Sequence, residues 1–278
     1  HASSAASDVY KRQIAWSTES SYTLGMHVST VPYINSMPYV HLFEQKSTSR
    51  YSLSLDPPIR GVEKFAAGEV DAALLPVAAL RSLSRPFKRV PFGIASVGQV
   101  RSVLLLSQCE VHEIEELFLD YQSVTSVQLL RVLMRSHWQC TAELLPASVG
   151  YETEICGARG GLVIGDRALQ HSRCFDHVYD LGAAWYDYTD LPFVFAMWVV
   201  AAEVGATQVA ELCELLALAE QVDVSEFLGL VQIDIGTKEL TDYLCSTIRY
   251  RLDADMLAGL SRFEEELIHC NLQCTQRV

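Results

Sequence analysis

Val100-Arg101-Ser102-Val103-Leu104-Leu105-Leu106-Ser107 and Leu191-Pro192-Phe193-Val194-Phe195-Ala196-Met197-Trp198-Val199-Val200 are the two stretches whose reading decides the fold. Both are long and apolar, and both read as buried strands. They bracket residues 108–190, a block with strand and helix signals of its own. A chain that leaves one lobe through the first stretch and returns through the second places a cleft between the lobes, where ligands commonly bind.

Outward from this pair, short apolar runs alternate with amphipathic segments. Strand candidates are residues 25–31, 52–55, 72–77, 102–107, 161–164 and 193–200; helix candidates are 59–67, 111–119, 126–136, 203–221, 225–231, 238–250 and 253–270. Such alternation predicts an α/β fold with largely parallel sheets. The expected organisation is a tail over residues 1–22, a discontinuous first lobe from 23–103 and 198–278, and a second lobe from 104–197. From Glu203 onward the chain reads as helices only, with Asp253 as an N-cap.

Composition sets the outer limits. The 278 residues carry 21 Lys plus Arg against 34 Asp plus Glu, a net charge of −13, and half are hydrophobic. That balance supports a large core rather than disorder. It argues against nucleic acid, whose binding rests on basic residues that neutralise phosphates. It also means that an anionic ligand must be held by local dipoles against the global field. The longest apolar stretch, Leu191 to Ala202, is short of the roughly 20 residues that span a bilayer, so no membrane partner is expected. The N-terminal Ser/Ala-rich segment lacks the apolar core of an export signal, and the eight cysteines contain no CxxC pair. Reduced thiols and a cytoplasmic location are the expectation. Nothing in the sequence sets an oligomeric state.

Three motifs carry candidate chemistry. Val31-Pro32-Tyr33-Ile34-Asn35-Ser36-Met37-Pro38-Tyr39 follows the first strand and offers an amide, a hydroxyl and helix-start N–H groups to an anion; an ordinary Asn-Ser turn and cap is the alternative. Leu119-Asp120-Tyr121-Gln122-Ser123-Val124-Thr125-Ser126 opens an amphipathic helix with three hydroxyls in four residues, suited to carboxylate or phosphate capture or to capping alone. Gly160-Gly161-Leu162-Val163-Ile164-Gly165-Asp166-Arg167-Ala168 is a strand with glycines at both ends; Gly165 allows close approach to a ligand, and Asp166 either caps the next helix or accepts a substrate hydroxyl. Neither a dinucleotide fingerprint nor a phosphate-binding P-loop occurs, and no G-x-S-x-G elbow nominates a nucleophilic serine. His171, Cys174 and His177 stand three apart without an evident fourth ligand, and read as a polar loop rather than a metal site.

Taken together, these segments resemble the chorismate dehydratases of the futalosine route to menaquinone. The resemblance runs from Gly25 to Phe263. It rests on Tyr33-Ile34-Asn35-Ser36-x-Pro38, residues 68–77 (GEVDAALLPV), residues 100–107 (VRSVLLLS) and Ser123-x-Thr125-Ser126. It continues through Ile164-Gly165-Asp166-x-Ala168-Leu169, Tyr179-Asp180-Leu181-Gly182 with Trp185, and Leu191-Pro192-Phe193-Val194-Phe195-Ala196-x-Trp198. One departure is the extension of more than twenty residues ahead of the first strand.

The resemblance implies a two-lobed α/β fold of the periplasmic-binding-protein type II kind, with a central cleft and two crossover strands. It implies removal of water from chorismate to give 3-[(1-carboxyvinyl)oxy]benzoate without metal or organic cofactor. Within it, Asn35 orients the reacting end with Ser36 beside it. Ser102, Ser123, Thr125 and Ser126 bind carboxylate oxygens, and Gly165 and Asp166 close the opposite wall. No His or Glu is among these site residues, so a carboxylate of the substrate itself is a candidate proton acceptor. Two other functions fit the same fold. One is the pathway's sister enzyme, which forms 1,4-dihydroxy-6-naphthoate from cyclic dehypoxanthinyl futalosine; the other is a non-catalytic solute-binding or ligand-sensing protein.

Overall fold

The computed structural model describes residues 25–46, 50–228 and 235–275. The predicted tail lies outside them, as do residues 229–231 of the helix expected over 225–231; Val224–Glu226 form a 3-10 turn.

Two sheets form the molecule. The first has the order β11-β4-β10-β3-β1-β2, from β1 (Met26–Thr30), β2 (Tyr51–Leu55), β3 (Ala72–Pro76), β4 (Phe87–Ser96), β10 (Phe193–Ala201) and β11 (Ile248–Arg251). The second has the order β7-β6-β8-β5-β9, from β5 (Val103–Ser107), β6 (Glu116–Leu119), β7 (Glu143–Pro146), β8 (Arg159–Ile164) and β9 (His177–Asp180). Both sheets are mixed, which corrects the largely parallel expectation: β3, β10, β4 and β11 pair antiparallel, and β5 is antiparallel to both neighbours. The helices are α1 (Met37–Lys46), α2 (Pro58–Ala67), α3 (Val124–Ser136), α4 (Gly165–His171), α5 (Leu181–Thr189), α6 (Ala206–Leu216), α7 (Thr237–Asp242) and α8 (Ala254–Thr275).

Local chemistry sets the helix ends. Pro58 begins α2, and Gly68 ends it at φ 76°, a left-handed conformation natural to glycine. Ser123 caps α3 by accepting the Ser126 N–H at 3.1 Å, and Asp253 accepts the Met256 N–H at 2.9 Å at the start of α8. Trp185, Phe193 and Phe263 meet edge to face between α5, β10 and α8, which binds the C-terminal helix to the central strand.

The chain passes between the sheets twice. Residues 97–102 join β4 to β5, and α5 leads from β9 to β10. Asp180 fastens both passages: its carboxylate accepts the N–H groups of Val100 (3.0 Å) and Arg101 (2.6 Å) on the first, and of Gly182 (2.9 Å) and Ala183 (3.0 Å) at the start of α5. Burial raises the Asp180 pKa, against the pull of those four donors. Strand β10 pairs with the first sheet from Phe193 to Ala201, so the return crossing precedes Phe193 rather than falling at 198.

Two predicted helices are corrected. Residues 111–119 form a short 3-10 turn and then β6, whose central Leu117 and Phe118 are buried between parallel partners. Residues 238–250 divide into α7, a π-turn at Tyr243–Thr247 and β11, so the C-terminal third is not helical throughout.

Candidate active site

A pocket of about 600 Å³ of atom-free space, partly open to solvent, lies between the two sheets. Val31, Pro58, Pro76, Ile94 and Phe195 supply apolar walls from the first lobe, and Ile164 supplies one from the second. Its polar lining is Asn35, Ser102, Ser123, Thr125 and Ser126, with Tyr33 and the backbone of Gly165. No charged side chain is among the lining residues.

Each polar group is held by the element that carries it. After β1 the chain turns through a 3-10 turn at Ile34–Ser36, which presents Asn35 to the pocket. The Asn35 Oδ1 is buried and has no hydrogen-bond partner among the described residues. Ser36 does not reach the pocket: its hydroxyl donates to the carbonyls of Val31 and Tyr33 (2.8 Å to the latter) and braces the turn. The expected substrate contact from Ser36 is therefore replaced by a structural one.

Opposite stands the start of α3. The Ser123 hydroxyl donates to Ser126 Oγ at 2.8 Å while capping the helix, and Thr125 Oγ1 accepts the Ala78 N–H at 3.3 Å from across the cleft. The hydroxyl hydrogens of Thr125 and Ser126 and the positive end of the helix thus lie at the pocket wall. Ser102 lies on the first passage; its carbonyl accepts the Gly165 N–H at 2.7 Å, and its hydroxyl accepts from Tyr243 at 2.7 Å.

Gly165 has φ 61°, and a methyl there would sit 3.6 Å from the Tyr33 ring. Asp166 turns away from the pocket lining. Its Oδ1 accepts the Ile34 N–H at 3.2 Å, so it joins α4 of the second lobe to the Asn35 turn of the first. Burial pushes its pKa up to about 6, opposed by the Ile34 N–H and by the neighbouring Arg167 charge.

Sequence reasoning missed three groups around this site. Arg167, two residues beyond Gly165, pairs with the buried Asp120 and with Glu152, and its guanidinium lies 5.1 Å from the Tyr121 ring centre. Gln122 accepts from both Arg167 and Tyr33 at 3.3 Å, which anchors the loop that enters α3. Tyr243, fully buried on the π-turn, contacts Ser102 and Asn35. Only Arg167 had a visible signal, as a cation beside a glycine-rich turn; Tyr243 was hidden inside a segment read as continuous helix.

Elsewhere, Cys109, Cys140, Cys156, Cys174, Cys213 and Cys245 are free thiols. Among the described residues no group of three His, Cys, Asp or Glu is placed to hold a metal, and His177 stacks on Tyr179. No described helix is long and apolar enough to cross a membrane.

Two sheets, two passages and a neutral, hydroxyl-lined cleft define a two-lobed α/β protein of the periplasmic-binding-protein type. The same fold occurs in a protein of Archaeoglobus fulgidus (TM-score 0.72, 13% identity, covering 91% of this chain and 100% of that one). It occurs also in the periplasmic aliphatic sulphonate binding protein of Escherichia coli (TM-score 0.60, 12% identity, 90% and 94%). The family model described as menaquinone biosynthesis matches residues 26–268, and the chain belongs to that family. A chorismate dehydratase of Thermus thermophilus is 30% identical over a match that covers 38% of this chain and 45% of that protein, less than half of its length.

Proposed function

We propose that this protein is a chorismate dehydratase, a cofactor-independent hydro-lyase of the futalosine route that acts in the cytoplasm. The observation that carries the reading is the opposition of Asn35 and Ser102 to the Ser123–Ser126 helix start across one uncharged pocket. Chorismate has one carboxylate on the ring at C1, a second on the enolpyruvyl group at C3, and a hydroxyl at C4. A pocket with hydroxyl donors at one wall and an amide at the other suits such a dianion. Free thiols fit a reducing compartment.

The reaction breaks the ring C3–H bond and the C4–O bond. The C–H electron pair enters the ring, conjugated with the ring carboxylate, and hydroxide leaves C4 and combines with the released proton as water. Aromatisation drives the product side. The kinetic difficulty is charge that develops on the ring carboxylate as the proton leaves, and donors at the α3 start are preorganised to stabilise it. Asn35 Oδ1, without a partner of its own, accepts from the C4 hydroxyl and orients it. The proton acceptor is the substrate's enolpyruvyl carboxylate, held near C3.

Purified protein incubated with chorismate is expected to consume it, with a change in the ultraviolet spectrum as the ring becomes aromatic, and to leave cyclic dehypoxanthinyl futalosine unchanged. Conversion of the second compound instead would assign the sister activity, and binding without conversion would assign a solute-binding role. Asn35→Ala should lower kcat by about 100-fold, in the range of a lost preorganised polar contact; normal turnover would remove Asn35 from the mechanism.

A further inference from the structure

We propose that Tyr243 is a positioning residue that sets the hydrogen-bond polarity of the pocket, making Ser102 a donor toward the ligand. The Tyr243 hydroxyl donates to Ser102 Oγ at 2.7 Å, and the tyrosine is fully buried behind the pocket wall rather than lining it.

A serine hydroxyl has one hydrogen and two acceptor sites. With one acceptor site taken by Tyr243, the Ser102 hydrogen cannot return to the tyrosine, whose hydrogen is already directed at Ser102. No other acceptor for it occurs among the described residues, so it faces the pocket that Ser102 lines. Asn35, which also lines the pocket, brings a buried Oδ1 without a partner among the described residues. A donor from Ser102 and an acceptor from Asn35 in one pocket match a ligand that carries both an acceptor and a hydroxyl.

The element explains the placement. Tyr243 opens a π-turn between α7 and β11, a wider turn than an α-helix, of a kind that recurs at functional sites. Burial raises the tyrosine pKa, so its hydrogen remains in place at neutral pH.

The proposal deepens the dehydratase reading, and its kinetic arm rests on that reading. Tyr243→Phe keeps the ring and removes one oxygen. It is expected to raise KM for chorismate about tenfold with kcat within about threefold, the range of one charge-assisted hydrogen bond. Combined with Ser102→Ala, it should add at most about threefold to the loss from Ser102→Ala alone, because both changes remove the same donor. Wild-type KM in Tyr243→Phe, or losses that multiply in the double variant, would overturn the proposal. Where wild-type protein does not turn over chorismate, the dehydratase reading fails, and urea unfolding of the same four proteins decides the Tyr243 assignment. A coupling of about fivefold in the unfolding constant between the two sites supports the bond, and strict additivity refutes it.

Discussion

Asp166 shows how much chemistry a single carboxylate can hold outside a pocket lining. Its Oδ1 accepts the Ile34 N–H at 3.2 Å, and burial pushes its pKa up to about 6. In the unfolded chain an aspartate titrates near 3.9, so the native state binds this proton more tightly. The resulting stability is fully present below about pH 4 and is lost as pH rises through about 6. Asp166→Asn retains an oxygen for Ile34 and removes the titration. Relative to Asp166→Asn, wild-type protein should therefore lose about 1 to 3 kcal/mol between pH 5 and pH 8 in urea unfolding. An unchanged difference between the two proteins across that range would show that the carboxyl is not perturbed. The sequence pointed to Asn35, Ser123, Thr125, Ser126 and Gly165 because an Asn-Ser turn after a strand, hydroxyls crowded at a helix start and glycine at a strand end are local signals; Ser102 entered only through the family resemblance. Ser36 and Asp166 carried the same signals, yet the turn geometry directs one to backbone carbonyls and the other to Ile34. For Asp166 that direction is set by a contact between lobes, which local patterns do not encode.

At the scale of elements, β4 and β10 approach closely at Gly93. A methyl at Gly93 would lie 2.2 Å from the Ala196 carbonyl oxygen and 3.1 Å from Met197 Cα, where the register of the two strands shifts. Ala196 also lines the pocket, so strain here reaches the site. Gly93→Ala is expected to cost about 3 kcal/mol, since backbone cannot yield as a flexible side chain does. Gly236→Ala, at φ −66° with open space around it, should change stability by less than about 0.5 kcal/mol. Equal stabilities of the two variants by urea unfolding would contradict the close strand contact. The continuous apolar strands, such as β3, β5 and β10, were legible because both faces are buried. Strand β11 was not: Ile248 and Tyr250 are buried and Arg249 and Arg251 turn outward, but four residues joined to a helical turn leave too short an alternation to outweigh the helical pattern before it. Strand β4 was missed with Pro91 inside it, a residue that demotes a strand in any sequence reading.

The whole molecule sets the field in which the ligand arrives. The chain carries a net charge of −13, and no charged residue is among those that line the pocket. The nearby cations are engaged: Arg167 by Asp120 and Glu152, and Arg101 by Glu239 at 2.9 Å. The proposed substrate, a dianion, would therefore approach against long-range repulsion and be captured by short-range dipoles of the pocket wall. Salt weakens the first and leaves the second almost untouched, because the screening length falls from about 20 Å at 20 mM to about 7 Å at 200 mM ionic strength, still longer than a hydrogen bond. For the proposed reaction, KM for chorismate should fall about two- to fivefold over that range while kcat stays constant. An enzyme that gripped the same dianion with free Lys or Arg would show the reverse, since salt would screen attraction. A KM that rises with ionic strength, measured by the ultraviolet assay with sodium chloride as the only variable, would mean that a cation leaves its carboxylate partner and reaches the substrate, Arg101 and Arg167 being the candidates.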